Sequence, residues 1–191
     1  KGVTEQLDDL DPKKEFGQRL PKNVKAAYMA RTYLNMQKHA VKVYHNSLKV
    51  YNPGYGIFKF DNVPKAFRTV VNESEIVVLN HHELEKLESI GYKIRLKPGQ
   101  TYIITRGERG ARIISKNTKV DVPTYETSAV DASGAGDAFN GGLITALLKG
   151  LDTYDATKFA NATASYIVEE WGCQTNTPTW DQVMERYNKI K

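Results

Sequence analysis

The chain has 191 residues, 40% of them hydrophobic, with 27 Lys plus Arg against 22 Asp plus Glu and a net charge of +5. That length suits one compact domain or most of one, and 26% charged with 10% aromatic residues excludes wholesale disorder. No apolar run approaches the roughly 20 residues of a membrane helix, no opening apolar stretch reads as a signal peptide, and a lone cysteine, Cys173, excludes an internal disulfide or a four-cysteine zinc site.

Residues 1–23 are polar and read as a loop and short helix entering a domain already under way. Residues 24–30 follow as a short buried strand, and Leu34, Ala40, Val41 and Tyr44 predict a helix within 34–46. A strand begins at Leu48 and ends at the turn residues Asn52, Pro53 and Gly54. A helix near 62–71, a strand over 75–80 and a helix over 81–89 stopped by Gly91 come next. The β-branched runs 101–107, 111–115 and 119–123 predict three closely spaced strands, a hairpin-like insertion at one sheet edge. Three helices close the pattern. One starts near Gly134 and stops at Gly150, one covers 153–171 and stops at Gly172, and one begins at Thr179 with Gln182 completing a capping box. Alternating strands and helices argue for an α/β fold with a largely parallel sheet, whose ligands bind beyond the carboxyl ends of the strands.

The chemistry concentrates in Asp131-Ala-Ser-Gly-Ala-Gly-Asp-Ala-Phe139. Small residues at a helix start let unpaired backbone N–H groups approach an anion. Gly134, Ala135 and Gly136 therefore form a candidate phosphoryl cradle. Asp137 follows in the first helical turn, where a carboxylate beside such a cradle is placed to take a proton from an attacking hydroxyl. The competing structural reading is a tightly packed helix start with Asp137 as a charge on the dipole.

This stretch resembles the C-terminal signature of the ribokinase-like (PfkB) family of sugar and nucleoside kinases, usually Asp-Thr-x-Gly-Ala-Gly-Asp-x-Phe; Ala132 departs from the commoner Thr. The resemblance implies Asp137 as catalytic base and the amides of Gly134, Ala135 and Gly136 as anion hole. It makes Asn80 and Glu83 the Asn-x-x-Glu pair that acts on phosphate and magnesium, although the same two residues fit a helix cap. Thr105, Gly107 and Gly110 resemble the family's turn beside the nucleotide, with a plain hairpin turn as the alternative, and Asn161 falls on the helix that walls the adenine. The implied cofactors are ATP and Mg2+. Asp131 and the loop 172–179 resemble the monovalent-cation site of some members. His81 and His82 lack zinc spacing and read as helix-start residues, and Cys173 as packing.

The resemblance covers the later part of the family pattern. Residues 1–191 read as the C-terminal, nucleotide-binding and catalytic part of a ribokinase-like domain, with residues 1–23 as the exit from a missing lid region. The implied function is transfer of the terminal phosphoryl group of ATP to a hydroxyl of a sugar or nucleoside, and the lone cysteine makes a reducing, cytoplasmic setting the default reading. A homodimer through the lid stays open, and a non-catalytic nucleotide- or nucleoside-binding protein is the alternative. All the basic excess lies in residues 1–50, ten Lys plus Arg against five Asp plus Glu, but interleaved with acids, so no nucleic acid or membrane partner is expected.

Overall fold

The computed structural model describes residues 25–30, 39–45, 48–51, 61–63 and 65–190. The expectations for residues 1–23, the burial of the 24–30 strand and the Asn52-Pro53-Gly54 turn lie outside the described residues. The chain forms two compact units, residues 1–102 and 103–191.

In the first unit, β1 (Lys25–Ala30), β2 (His39–His45), β3 (Leu48–Tyr51) and β4 (Ile76–Asn80) are successive neighbours in one sheet. The pairing is mixed. β1 and β2 are antiparallel, β2 and β3 are antiparallel, and β3 runs parallel to β4 with Val50 opposite Ile76. The parallel step is bridged by α1 (Lys65–Glu73), as a β-α-β connection requires. The helix predicted within 34–46 is not formed at residues 39–45, which make β2. Val41, Val43 and Tyr44 are β-branched or aromatic, and a six-residue antiparallel ladder with β1 outweighs the weak helical spacing.

β4 carries the core of this unit. Ile76, Val77, Val78 and Leu79 are all buried, the continuous apolar run of a strand covered on both faces. Phe67 and Val71 of α1 and Leu87 of α2 (His81–Ser89) are buried with them, and Phe67 meets Tyr92 edge-on at 5.3 Å. α2 ends as expected at Gly91, whose φ of 85° lets Gly91 N–H reach Glu88 O and Tyr92 N–H reach Leu87 O. Those two bonds form a Schellman stop.

The boundary between units falls within β5 (Thr101–Thr105). In the second unit β5, β6 (Ala111–Ile114) and β7 (Lys119–Val122) are successive neighbours, the last two an antiparallel hairpin. The predicted hairpin-like group of strands is therefore present. Helices α3 (Ala135–Leu148), α4 (Thr153–Ile167) and α5 (Trp180–Lys189) follow. Phe139, Leu143 and Ala146 bury one face of α3, and each of the two larger side chains contributes about 1.5–3 kcal/mol by leaving water. α3 ends at Gly150 with a second Schellman stop, Leu151 N–H to Ala146 O and Gly150 N–H to Leu147 O. The capping box at Thr179 and Gln182 is formed.

α4 is shorter than expected. It ends at Ile167 rather than near Trp171, because the carbonyl of Val168 accepts N–H groups from Val130 and Asp131 instead of continuing the helix. α3 and α4 meet at Gly142. A Cβ there would stand 2.5 Å from Thr163 Oγ1 and 3.2 Å from Ala160 Cα. Gly142→Ala should therefore destabilise the fold by about 1–3 kcal/mol through overpacking. Thermal or urea unfolding measures it, and adding Thr163→Ala should recover part of the loss, since the nearest clashing atom is then gone.

Candidate active site

The start of α3 is built by its approach loop. Val130 and Asp131 donate their N–H groups to Val168 O at 2.7 and 3.1 Å. Asp131 then accepts from Ser133 N–H at 2.9 Å and from Gly172 N–H at 3.1 Å. Thr127 donates to Glu169, which Arg186 of α5 also engages at 2.7 Å. Arg186 lies over the Tyr166 ring at 3.4 Å and bonds Ser165, so the whole platform under the loop is braced. Glu169 is half-buried, which would raise its carboxyl, but the Arg186 and Thr127 hydrogen bonds outweigh that and hold it below the ordinary value.

Gly134 sits at φ 79°, left-handed, and any Cβ on it would lie 2.4 Å from Cys173 Cβ. Only glycine allows both that conformation and that contact. Cys173 lies against the loop at this point and is otherwise exposed. The turn leaves backbone donors open. Ala135 N–H reaches Ala132 O at 3.3 Å and Ala138 N–H reaches Gly134 O, but Gly136 and Asp137 N–H groups have no acceptor among the described residues. The space beyond Gly136 is open, with nothing within 4 Å of a Cβ placed there. Asp137 is exposed, and its carboxylate has no hydrogen bond or ion pair among the described residues. It borders a cavity of about 390 Å³ lined also by Gly141, Thr145, Thr163 and Trp180. Sequence reading missed this cavity. The spacing of Asp137, Gly141 and Thr145 along one face of α3 was the available signal.

Asn161 and Gly110 converge on one atom. Asn161 is 5% exposed and donates Nδ2–H to Val122 O at 3.1 Å and to Pro123 O at 2.9 Å. A Cβ on Gly110 would stand 2.1 Å from the same Val122 O. Gly110 closes the turn from Thr105, a 3-10 turn begun by Gly107 at φ 59°, with Gly110 N–H bonded to Gly107 O and Arg106 N–H to Gly110 O. Arg112 grips Asp121 through two hydrogen bonds of 2.6 and 2.8 Å, and Arg106 pairs with it at 3.1 Å. Arg112, aided by the Arg106 charge, holds the Asp121 carboxyl at about 2.

In the first unit, Asn80 and Glu83 form a reciprocal capping box. Asn80 N–H donates to Glu83 Oε2 and Glu83 N–H to Asn80 Oδ1, both at 2.8 Å. Glu83 is buried at 3% exposure. His81 and His82 stack on each other at the start of α2, and no group of three metal-binding side chains occurs among the described residues. No helix among them is long and apolar enough to cross a membrane.

Residues 19–180 match the pfkB family of carbohydrate kinases. The chain is 33% identical over 156 residues to a nucleoside kinase of Methanocaldococcus jannaschii, covering 80% of this chain and 51% of that protein. The crystal structure of that kinase superposes with a TM-score of 0.66, over 76% of this chain and 50% of the other. A Burkholderia thailandensis nucleoside kinase in complex with inosine gives a TM-score of 0.63 at 27% identity, over 74% and 48% of the two chains. A ribokinase-like protein from E. coli in complex with ATP and Mg2+ gives 0.57 at 25% identity, over 65% and 42%. The chain spans about half the length of the curated relatives it matches.

Two outcomes follow from the loop geometry. Asn161→Ala leaves Val122 and Pro123 carbonyls without their side-chain donor and should cost about 1–3 kcal/mol in denaturant unfolding. The Asp131 carboxyl is held below the ordinary value by the Ser133 amide first, then by the Ser133 hydroxyl and the Gly172 amide. A depressed native value means that the link is complete above the ordinary carboxylate range, about pH 4, and is lost as pH falls through the lower native value. Hydrogen exchange at Ser133 and Gly172, corrected for intrinsic rate, should stay constant from about pH 7 to pH 5 and accelerate below about pH 4. Asp131→Ala should show fast exchange throughout.

Proposed function

The chain belongs to the pfkB family of carbohydrate kinases, and from that membership we propose that it supplies the phosphoryl-transfer machinery of a kinase acting on a sugar or nucleoside hydroxyl, with ATP as donor. The observation that carries this reading is the pairing of an unpartnered, exposed Asp137 carboxylate with the open N–H groups of Gly136 and Asp137. A phosphoryl group fits this cradle, because the donors have no other acceptor among the described residues and the space beyond Gly136 is clear.

In the proposed reaction the acceptor hydroxyl lies within hydrogen-bond reach of Asp137, which takes its proton as the oxygen attacks phosphorus. The open amides of Gly136 and Asp137 donate to the phosphoryl oxygens as charge shifts onto them, an effect of fixed dipoles that need no reorganisation, while Ala135 N–H, bonded to Ala132 O at 3.3 Å, joins them only by giving up that bond. Thr105, Gly107 and Gly110 form the turn assigned to the nucleotide, and Asn161 supports it by tying down Val122 and Pro123. Magnesium, when bound with the nucleotide, neutralises phosphate charge. Mg2+ takes most of its ligands from substrate phosphates and water, with only one or two carboxylates from the protein. Glu83, fixed by Asn80, is the residue assigned to act on it through water. The similarity to nucleoside kinases supports a nucleoside or a sugar as acceptor class.

The test is kinetic. In the complete protein Asp137→Asn should lower kcat by about 10²–10⁴-fold with nucleotide affinity unchanged. Gly136→Ala should fold normally, because its Cβ meets open space, yet weaken turnover by crowding the cradle. Near-normal kcat in Asp137→Asn would remove it as the base. Nucleotide binding without product from any sugar or nucleoside would favour the non-catalytic binding role instead.

A further inference from the structure

The first unit holds a second, smaller cavity of about 180 Å³. Arg68 of α1 and Lys93 and Arg95, which follow α2, line it, with Asn72 beside them and no acidic side chain. None of the three cations has an ion pair among the described residues. Like charges gathered around one hollow repel each other unless an anion joins them.

The inner wall adds a second observation. Tyr92 and Tyr102 both line the cavity, 5% and 0% exposed, and their hydroxyl oxygens lie 2.6 Å apart. Two hydroxyls carry two protons, and only one proton fits in a single O···O contact. The other O–H has no further acceptor among the described residues. A buried donor left in that state is unfavourable. Burial pushes both hydroxyls above the usual tyrosine value, so both remain donors at neutral pH. The carbonyls at the end of α1 do not compete for the space. Val71 O accepts from Ser74 N–H and Gln100 Nε2–H, and Asn72 O from Lys97 Nζ.

We propose that this cavity is a binding site for a single phosphate group, either inorganic phosphate or a small phosphomonoester, held by Arg68, Lys93 and Arg95 and by the spare tyrosine hydroxyl. Guanidinium groups match phosphate oxygens in pairs, which makes arginine the stronger contributor. The volume suits one tetrahedral oxyanion and a few waters of about 30 Å³ each. The site is separate from Asn80 and Glu83. Thr101 N–H bonds Glu75 O, which places Tyr102 near the amino end of β4, whereas Asn80 is at its carboxyl end, about 13 Å along the strand.

The test is an amide NMR titration of the full chain with inorganic phosphate and, separately, ribose 5-phosphate, at ionic strength held constant with chloride. Saturable shifts at Lys93, Arg95 and Tyr102 are expected. Arg68→Gln with Arg95→Gln should weaken that response about tenfold or more and leave the midpoint at Gly136 and Asp137 unchanged. Tyr92→Phe with Tyr102→Phe should weaken it too, since either hydroxyl can be the spare donor. Saturation by both ligands assigns the site to phosphomonoesters, and by inorganic phosphate alone to the free ion. Shifts no larger than with chloride, or a midpoint indifferent to both arginines, would overturn the proposal. The titration reads the two places separately and needs no turnover, so its failure and that of the kinase reading are distinguishable.

Discussion

One carbonyl oxygen organises the second unit. Val168 O receives both the Val130 and the Asp131 amide, at 2.7 and 3.1 Å. That capture ends α4 and leaves Gly172 N–H for Asp131. It also holds the approach loop where Gly134 can turn left-handed against Cys173. The loop in turn delivers α3 with the Gly136 and Asp137 amides unspent. A helix terminus always has orphan donors, and most proteins satisfy them with a side chain. Here no side chain caps α3.

Much of this was legible in the residues, for identifiable reasons. Helix stops at Gly91 and Gly150 were readable because a left-handed C′ position selects glycine chemically. The strand over Ile76–Asn80 was readable because a strand buried on both faces is apolar throughout. Residues 39–45 misled because a few apolar side chains at helical spacing say little against a ladder formed with a distant segment. α4 ran short because its end is decided by Val130 and Asp131, some forty residues upstream. Local patterns cannot carry such long-range contacts. At the candidate site, the Gly-Ala-Gly-Asp stretch was readable as a helix start, and the structure leaves the Gly136 and Asp137 amides open there. The use of Asn161 as a backbone clamp did not show, because asparagine on a helix has no spacing signature.

The two proposed anion sites, one in each unit, would rest on chemistry of different kinds. At the start of α3 the attraction comes from backbone dipoles, which have fixed geometry and no net charge. Around Tyr92 and Tyr102 it comes from three full charges on long side chains with a hydroxyl behind them. Dipoles suit a group whose charge distribution changes during reaction, because they are already aimed. Formal charges suit simple retention, and they are screened by salt. Asn80 and Glu83 each spend part of their polarity on holding the other in place.

The carbonyl of Val122 has a wider consequence. Gly110 approaches it because no Cβ intervenes, and Asn161 donates to it from another element. Three positions far apart in the chain therefore share one small volume, and none can drift independently. A substitution at 161 would therefore cost a different amount in a background where the 122–123 backbone has shifted. Directed evolution of the 105–110 turn would accordingly meet epistasis centred on Gly110, where any side chain requires the 122–123 backbone to move.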